Sequence, residues 1–371
     1  MDPFLPDDAK LDAIRELLPS LASGIRLDVT AAGPFPAETD RALLQLAELE
    51  LRLGRGGPAR ADELAQRADE AVAVVAAVLA TTPDRVVLAA GPASALSAIL
   101  VATTSLAIEP DAALAGGLSA VVASVARSHG LHAAPGAPAA GPRLVVAPQV
   151  DARTGGVLDV SARADEVHAT GGALVVDMGW SAGAIAVDAP SSGADLVMVE
   201  MHRWLLGPEG VTAIWAGDPA TADRLRALVD VPPPAQLLGV ARSVGWLLMY
   251  VGLPWAFERV GRLALRLRDG LAAVGGVTMG DARGTIAATL PFRVEGWTVD
   301  EAAAELVRLA HAHVEADGAR GVLLASVGAW TREAEVDRFV GAVAEIAAHT
   351  PGTLPRRPLL TVLAPSPWAE R

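Results

Sequence analysis

Apolar positions recur at helical spacing through residues 8–22 and 38–54, so the chain opens with amphipathic helices. Residues 60–80, which include ADELAQRADEAVAVVAAVLA, predict a long alanine-rich helix with its charges gathered in the first half. The pattern then changes to short, nearly continuous apolar runs rich in Val. These are RVVLAAG at 85–91, PRLVVAP at 142–148, GALVVDMG at 172–179, ADLVMVEM at 194–201 and TAIWAG at 212–217. Runs that are apolar on both faces, separated by helical crossovers, predict a mostly parallel α/β sheet covered by helices. The triple proline Pro232–Pro234 predicts a rigid extended turn that ends this layer, followed by one long helix from about Ser243 to Ala273. TIAATLPFRV, a helix near 299–314, GVLLASV and a last helix at 331–349 predict a smaller α+β domain. The expected division is an N-terminal helical segment at 1–24, a large α/β domain at 25–250 and a small α+β domain at 251–371.

Composition narrows the function classes. With 52% hydrophobic and 20% charged residues, 371 residues can build a conventional buried core. A formal net charge of -13 disfavours nucleic acid and anionic membrane surfaces as partners. No cysteine is present, which removes disulfides, thiolate metal ligands, Cys nucleophiles and a persulfide carried on this chain. The acidic start MDPFLPDDAK has no signal-like apolar core, and later apolar stretches are broken before about 18 residues, so a cytoplasmic location is expected. Lys10 is the single lysine.

Five segments carry a family resemblance: IRLDVTAAGPFP at 25–36, RLVVAPQVDARTGGVLDV at 143–160, GALVVDMGWSAGAIAVD at 172–188, MHRWLLGPEG at 201–210 and ASVGAWTREAEVDRFVGAV at 325–343. In order and wording they resemble the class V aminotransferase and cysteine desulfurase superfamily of fold-type-I pyridoxal phosphate (PLP) proteins. The branch with the C–S lyase of ergothioneine biosynthesis and related epimerases looks nearest. The resemblance implies a fold-type-I PLP-transferase-like architecture and dimers with sites at the interface. It places Asp177 where such enzymes hold the cofactor's pyridinium nitrogen protonated. Trp180 falls where a Gln or His contacts the phenolic oxygen, and Ala152 where an Asn often does. His202 keeps its motif position, Arg203 stands at the Schiff-base lysine, and Glu200 at a small hydroxyl residue that binds phosphate. The turn AAGPASAL, with Gly91 and Ala93, matches the phosphate cradle at a helix N-terminus, but Pro92 lacks one N–H donor. From Ala93 to Ser128 there is no aromatic residue to lie over a cofactor ring, and Leu324 holds the approximate place of the arginine that binds substrate carboxylate.

A guanidinium stays protonated and forms no aldimine, so Arg203 argues against the chemistry that the resemblance implies. The expectation is a degenerate member with PLP bound noncovalently at most and no metal. Trp180 is expected to fill the vacated space, and Arg203 to pair with Glu200, with Asp177 as a second acceptor. Three functions stay open: a noncatalytic subunit or scaffold, a cleft reused as a PLP-independent enzyme or small-ligand site, and a weak noncovalent PLP-dependent lyase or aminotransferase. Candidate acid, base and anion-binding groups for the second are Asp177, Glu200, His202 and Arg203. Expected partners are a second copy, a PLP-fold paralogue or a pathway enzyme, and a small acidic or zwitterionic ligand. The default for His202 is a hydrogen-bonded structural histidine, for Arg153 a solvated loop arginine, and for Trp204, Trp215, Trp246 and Trp255 core or dimer contacts. His311 and His313, at i, i+2, suit one side of a strand.

Overall fold

The computed structural model describes residues 7–104, 107–131, 143–281 and 284–355. Eleven strands lie among them: β1 (Ile25–Leu27), β2 (Val86–Ala89), β3 (Ala107–Pro110), β4 (Arg143–Pro148), β5 (Ala173–Asp177), β6 (Leu196–Glu200), β7 (Thr212–Ala216), β8 (Val277–Met279), β9 (Thr289–Val294), β10 (Ala312–Asp317) and β11 (Val322–Ser326). Six form the larger sheet in the order β2-β7-β6-β5-β4-β3. β3 to β6 pair in parallel, and β7 runs antiparallel to both neighbours. The expected mostly parallel sheet is thus present.

Alternation along these strands builds two cores. Val145, Ala147, Leu174, Val176, Val197 and Val199 face one side, while Leu144, Val146, Val175, Leu196 and Met198 face the other. Helices Gly91–Ala102 and Gly116–Ser128 cover the second side through Leu96, Ile99, Leu118 and Val122. Helices Pro58–Val78, Val160–His168 and Pro234–Trp246 cover the first. Sheet faces closed on both sides leave the strand ends as the place where polar side chains gather.

The smaller sheet has the order β1-β10-β11-β9-β8. Its outer strand β1 pairs in parallel with β10, Ile25 opposite Ala312. Residues 25–27, read from the sequence as the start of the large domain, therefore belong to the smaller sheet. Residues 1–6 and 356–371 of the expected outer segments lie outside the described residues.

Three expectations are corrected. The helix from Ser243 to Ala273 is two helices, Pro234–Trp246 continued by a π-helical turn at Leu247–Val251, and Leu253–Ala272, bent by 84° between them. Gly252 takes the break at φ +78°, and its N–H closes on the Leu247 carbonyl at 2.8 Å. Pro234 starts the first of these helices rather than ending a turn, since a first-turn residue needs no intrahelical N–H bond. The helix near 299–314 stops at Ala310, because His311 turns left-handed at φ 49° and its carbonyl accepts the Ile25 N–H at 2.8 Å. His313 then lies in β10 opposite Arg26, and His311 is outside the strand. Among the described residues no single helix is long and apolar enough to cross a membrane.

Candidate functional site

β5 and β6 deliver Asp177 and Glu200 to the same end of the larger sheet, and the turns that follow them meet there. Asp177 is buried, 7% exposed. Its Oδ1 accepts the Gly179 N–H at 2.9 Å, a local Asx turn in place of the helix cap that a strand-end Asp often provides. Burial pushes its carboxyl up to about 6, the Arg203 cation opposes this, and Glu200 adds to it.

Arg203 sits on the turn after β6. Its Nη1 pairs with Glu200 Oε2 at 2.7 Å, both side chains being about 15% exposed. Its Nε donates to the Thr30 carbonyl at 2.8 Å. The expected pair with Glu200 is present, but the second acceptor is the Thr30 backbone and not Asp177. A Cβ on Gly179 would stand 2.5 Å from Arg203 Nη1 and 3.0 Å from Asp177 Oδ1, so the guanidinium lies over Gly179 because no side chain is there.

The N-terminal loop closes the other flank. The Gly33 N–H donates to the His202 carbonyl at 2.8 Å. A Cβ at Gly33 would stand 2.1 Å from the Arg203 carbonyl oxygen. His202 meets the expectation of a hydrogen-bonded side chain in part: its ring bonds to the Ala31 backbone, while its Nδ1 is buried without a partner among the described residues. Burial, with the neighbouring Arg203 cation, lowers its pKa below the usual histidine value. Thr30 Oγ1 and Thr212 Oγ1 are also buried without partners. Thr212 lies opposite Glu200 in the β6–β7 ladder.

The remaining candidates are arranged around this cluster. Trp180 is 6% and Ala152 2% exposed, both inside the core. Gly91 starts its helix at φ +83°, and a Cβ there would lie 3.9 Å from the Gly210 carbonyl, on the segment that also carries Arg203. Ala93 is exposed. At the same turn the Ala90 N–H donates to the Asp230 carbonyl at 2.8 Å, and Ser94 Oγ accepts the Asp230 N–H at 2.9 Å. Leu324 is buried in β11. Arg153 is half exposed but forks onto Asp151, at 2.9 and 2.7 Å, so it is a paired residue and not a free loop arginine. Trp204, Trp215 and Trp246 are buried. Trp255 instead stacks under the Lys10 ammonium, 4.3 Å from the ring centroid. Among the described residues no group of three or more His, Asp and Glu is placed to hold a metal ion.

A loop at the end of β11 buttresses the site. Trp204 Nε1 donates to the Val327 carbonyl at 2.8 Å. The next carbonyls are gripped in turn: Ala329 and Thr331 accept from the buried Arg259 at 2.8 and 2.9 Å, and Trp330 from Arg15 at 2.7 Å. Sequence reasoning missed Thr30, Gly33 and Gly179. The two glycines lie inside the quoted segments, yet nothing in the sequence says which neighbour needs their missing side chains.

The class V aminotransferase family model matches residues 130–226. A search of curated proteins finds no match. Among solved structures, a lysine-to-alanine mutant of C-DES with glycine covalently linked to its PLP cofactor superposes with a TM-score of 0.77 at 16% identity, over 89% of this chain and 98% of that one. The apo cysteine desulfurase of Thermococcus onnurineus gives 0.74 at 19% identity, over 91% and 98%. The cysteine desulfurase CsdA of Escherichia coli gives 0.73 at 19%, over 90% and 97%. The chain has the fold-type-I architecture of these PLP proteins.

Proposed function

We propose that this chain is a degenerate relative of the class V aminotransferases that does not use PLP covalently and works as a noncatalytic subunit or scaffold. The observation that carries this reading is the Arg203 guanidinium, locked between Glu200 and the Thr30 carbonyl over Gly179. By resemblance it stands where the family's lysine would be, and a guanidinium cannot supply the amine. Other residues also fit the cofactor poorly: by resemblance Glu200 puts a carboxylate where phosphate would lie, Pro92 withholds a donor, and the Ala90 N–H is already engaged by the Asp230 carbonyl. Lys10 offers no substitute, since its ammonium is seated on Trp255.

A partner is supported by the surface of helix Ala37–Leu53, whose Leu44, Leu51 and Leu53 are 63%, 87% and 76% exposed. We propose that the partner is a second copy or a lysine-bearing paralogue. A second reading, a PLP-independent site, is favoured by Asp177, whose buried carboxyl is pushed up to about 6 next to the Arg203 and Glu200 pair.

The test is a PLP titration followed by absorbance and heat, with borohydride reduction and mass analysis at its end. The expected result is no saturable binding at millimolar PLP and no reduced adduct. An aldimine band or a reduced adduct overturns it, and saturable binding without either replaces the scaffold with a noncovalent PLP-dependent enzyme. Sizing the native protein then separates the partners: a homodimer without a second protein removes the paralogue.

A further inference from the structure

Arg203 faces two carboxylates and holds one of them. Its Nη1 pairs with Glu200 at 2.7 Å, and its Nε donates to the Thr30 carbonyl at 2.8 Å. The point that a Cβ on Gly179 would occupy lies 2.5 Å from the same Nη1 and 3.0 Å from Asp177 Oδ1. Arg203 and Asp177 therefore meet across a space that is open because residue 179 has no side chain. They do not bond across it, since Asp177 Oδ1 accepts the Gly179 N–H instead.

Which carboxylate the guanidinium prefers depends on the proton of Asp177. While that acid is neutral, the Glu200 carboxylate is the stronger acceptor. Once ionised, Asp177 is a buried charge, and a buried charge requires a partner. Few groups can supply one. Arg203 and Glu200 act on Asp177 directly, while His202 and Glu209 act on the same cluster from the segment that carries Arg203. Residues 29–33 of the N-terminal loop and residues 91–94 at the start of helix Gly91–Ala102 bring no titratable side chain. Among the described residues, Arg203 is the cation that bears on Asp177.

We infer that Arg203 is a two-position latch: it holds Glu200 while Asp177 is protonated, and turns onto Asp177, pivoting on its Nε bond to Thr30, when Asp177 loses its proton. The turn carries Nη1 through the space over Gly179 and leaves Glu200 without its cation. Below the change the strand ends carry a neutral pair and a neutral acid; above it they carry a bare carboxylate. Because burial pushes Asp177 up to about 6, the latch changes position between about pH 5 and 7.

Crystal structures of the full chain at about pH 4.5 and about pH 8 read the latch directly. Arg203 Nη1 is expected on Glu200 at the lower pH and on Asp177 at the higher. Asp177→Asn is expected to keep it on Glu200 at both. In solution, carboxyl-carbon NMR follows the proton of Asp177. Glu200→Gln removes the rival carboxylate and is expected to lower the Asp177 midpoint by about one pH unit, a tenfold change in proton affinity. One Arg203 position at both pH values in the unsubstituted protein overturns the latch, as does an unchanged midpoint in Glu200→Gln. Movement that persists in Asp177→Asn also overturns it and assigns the change to His202.

Discussion

Asp177 sets a pH dependence whose sign follows from its environment. Its carboxyl titrates near 6 when folded and near 3.9 when unfolded, so the folded state binds the proton more tightly. That contribution is full below about pH 4 and is lost as pH rises through 6; its upper size is about 3 kcal/mol. Asp177→Asn is expected to flatten the stability profile between pH 4 and 6 and to be about 1–2 kcal/mol more stable than the parent at pH 8, by urea denaturation. Identical profiles for the two proteins contradict this. Gly179 and Gly33 separate side-chain from backbone obstruction. Gly179→Ala forces out a pinned guanidinium and is expected to cost about 1–2 kcal/mol, falling below about 0.5 in an Arg203→Ala background. Gly33→Ala meets the Arg203 backbone oxygen, so the same truncation should not relieve it. A cycle in which both glycines respond alike refutes the assignment.

Among the elements, the sequence makes visible what repeats and is buried. β2, β4, β5, β6 and β7 are legible because their runs are apolar on both faces. β1, β3 and β8, which were missed, are edge strands, and edges need less apolar content to be stable; β10, also missed, lies inside the smaller sheet but is only half-buried beyond Ala312, so it carries no continuous apolar run. The Arg203–Glu200 pair at i, i+3 was legible for the same local reason, whereas the Thr30 carbonyl comes from a loop 173 residues away and leaves no periodic trace. The break between helices Pro234–Trp246 and Leu253–Ala272 rests on Gly252, whose missing Cβ would touch nothing within 4 Å. Gly252→Ala is thus a conformational change only. It is expected to cost about 1 kcal/mol with no change in the rest of the fold, measured by thermal unfolding. A neutral result would show that the bend is held by packing alone.

At the scale of the whole molecule, guanidinium groups hold the candidate site's supports together. Arg259 is buried with no carboxylate within ion-pair distance among the described residues, and it directs its donors to the Ala329 and Thr331 carbonyls. Arg259→Met is expected to cost about 2–3 kcal/mol and to raise hydrogen exchange in 327–331 before that of the larger sheet. Uniform exchange across both sheets would disprove the local role. The pairing of β1 with β10 has a further consequence, for biosynthesis. Ile25 leaves the ribosome long before Ala312 is made. The smaller sheet's outer strand must wait for nearly the whole chain while the larger sheet, complete by Ala216, can already form. Translation arrested near residue 290, with the larger sheet clear of the exit tunnel, should therefore yield a nascent chain with a protease-resistant middle and a cleavable N-terminal stretch, and completion of β10 is what protects that stretch.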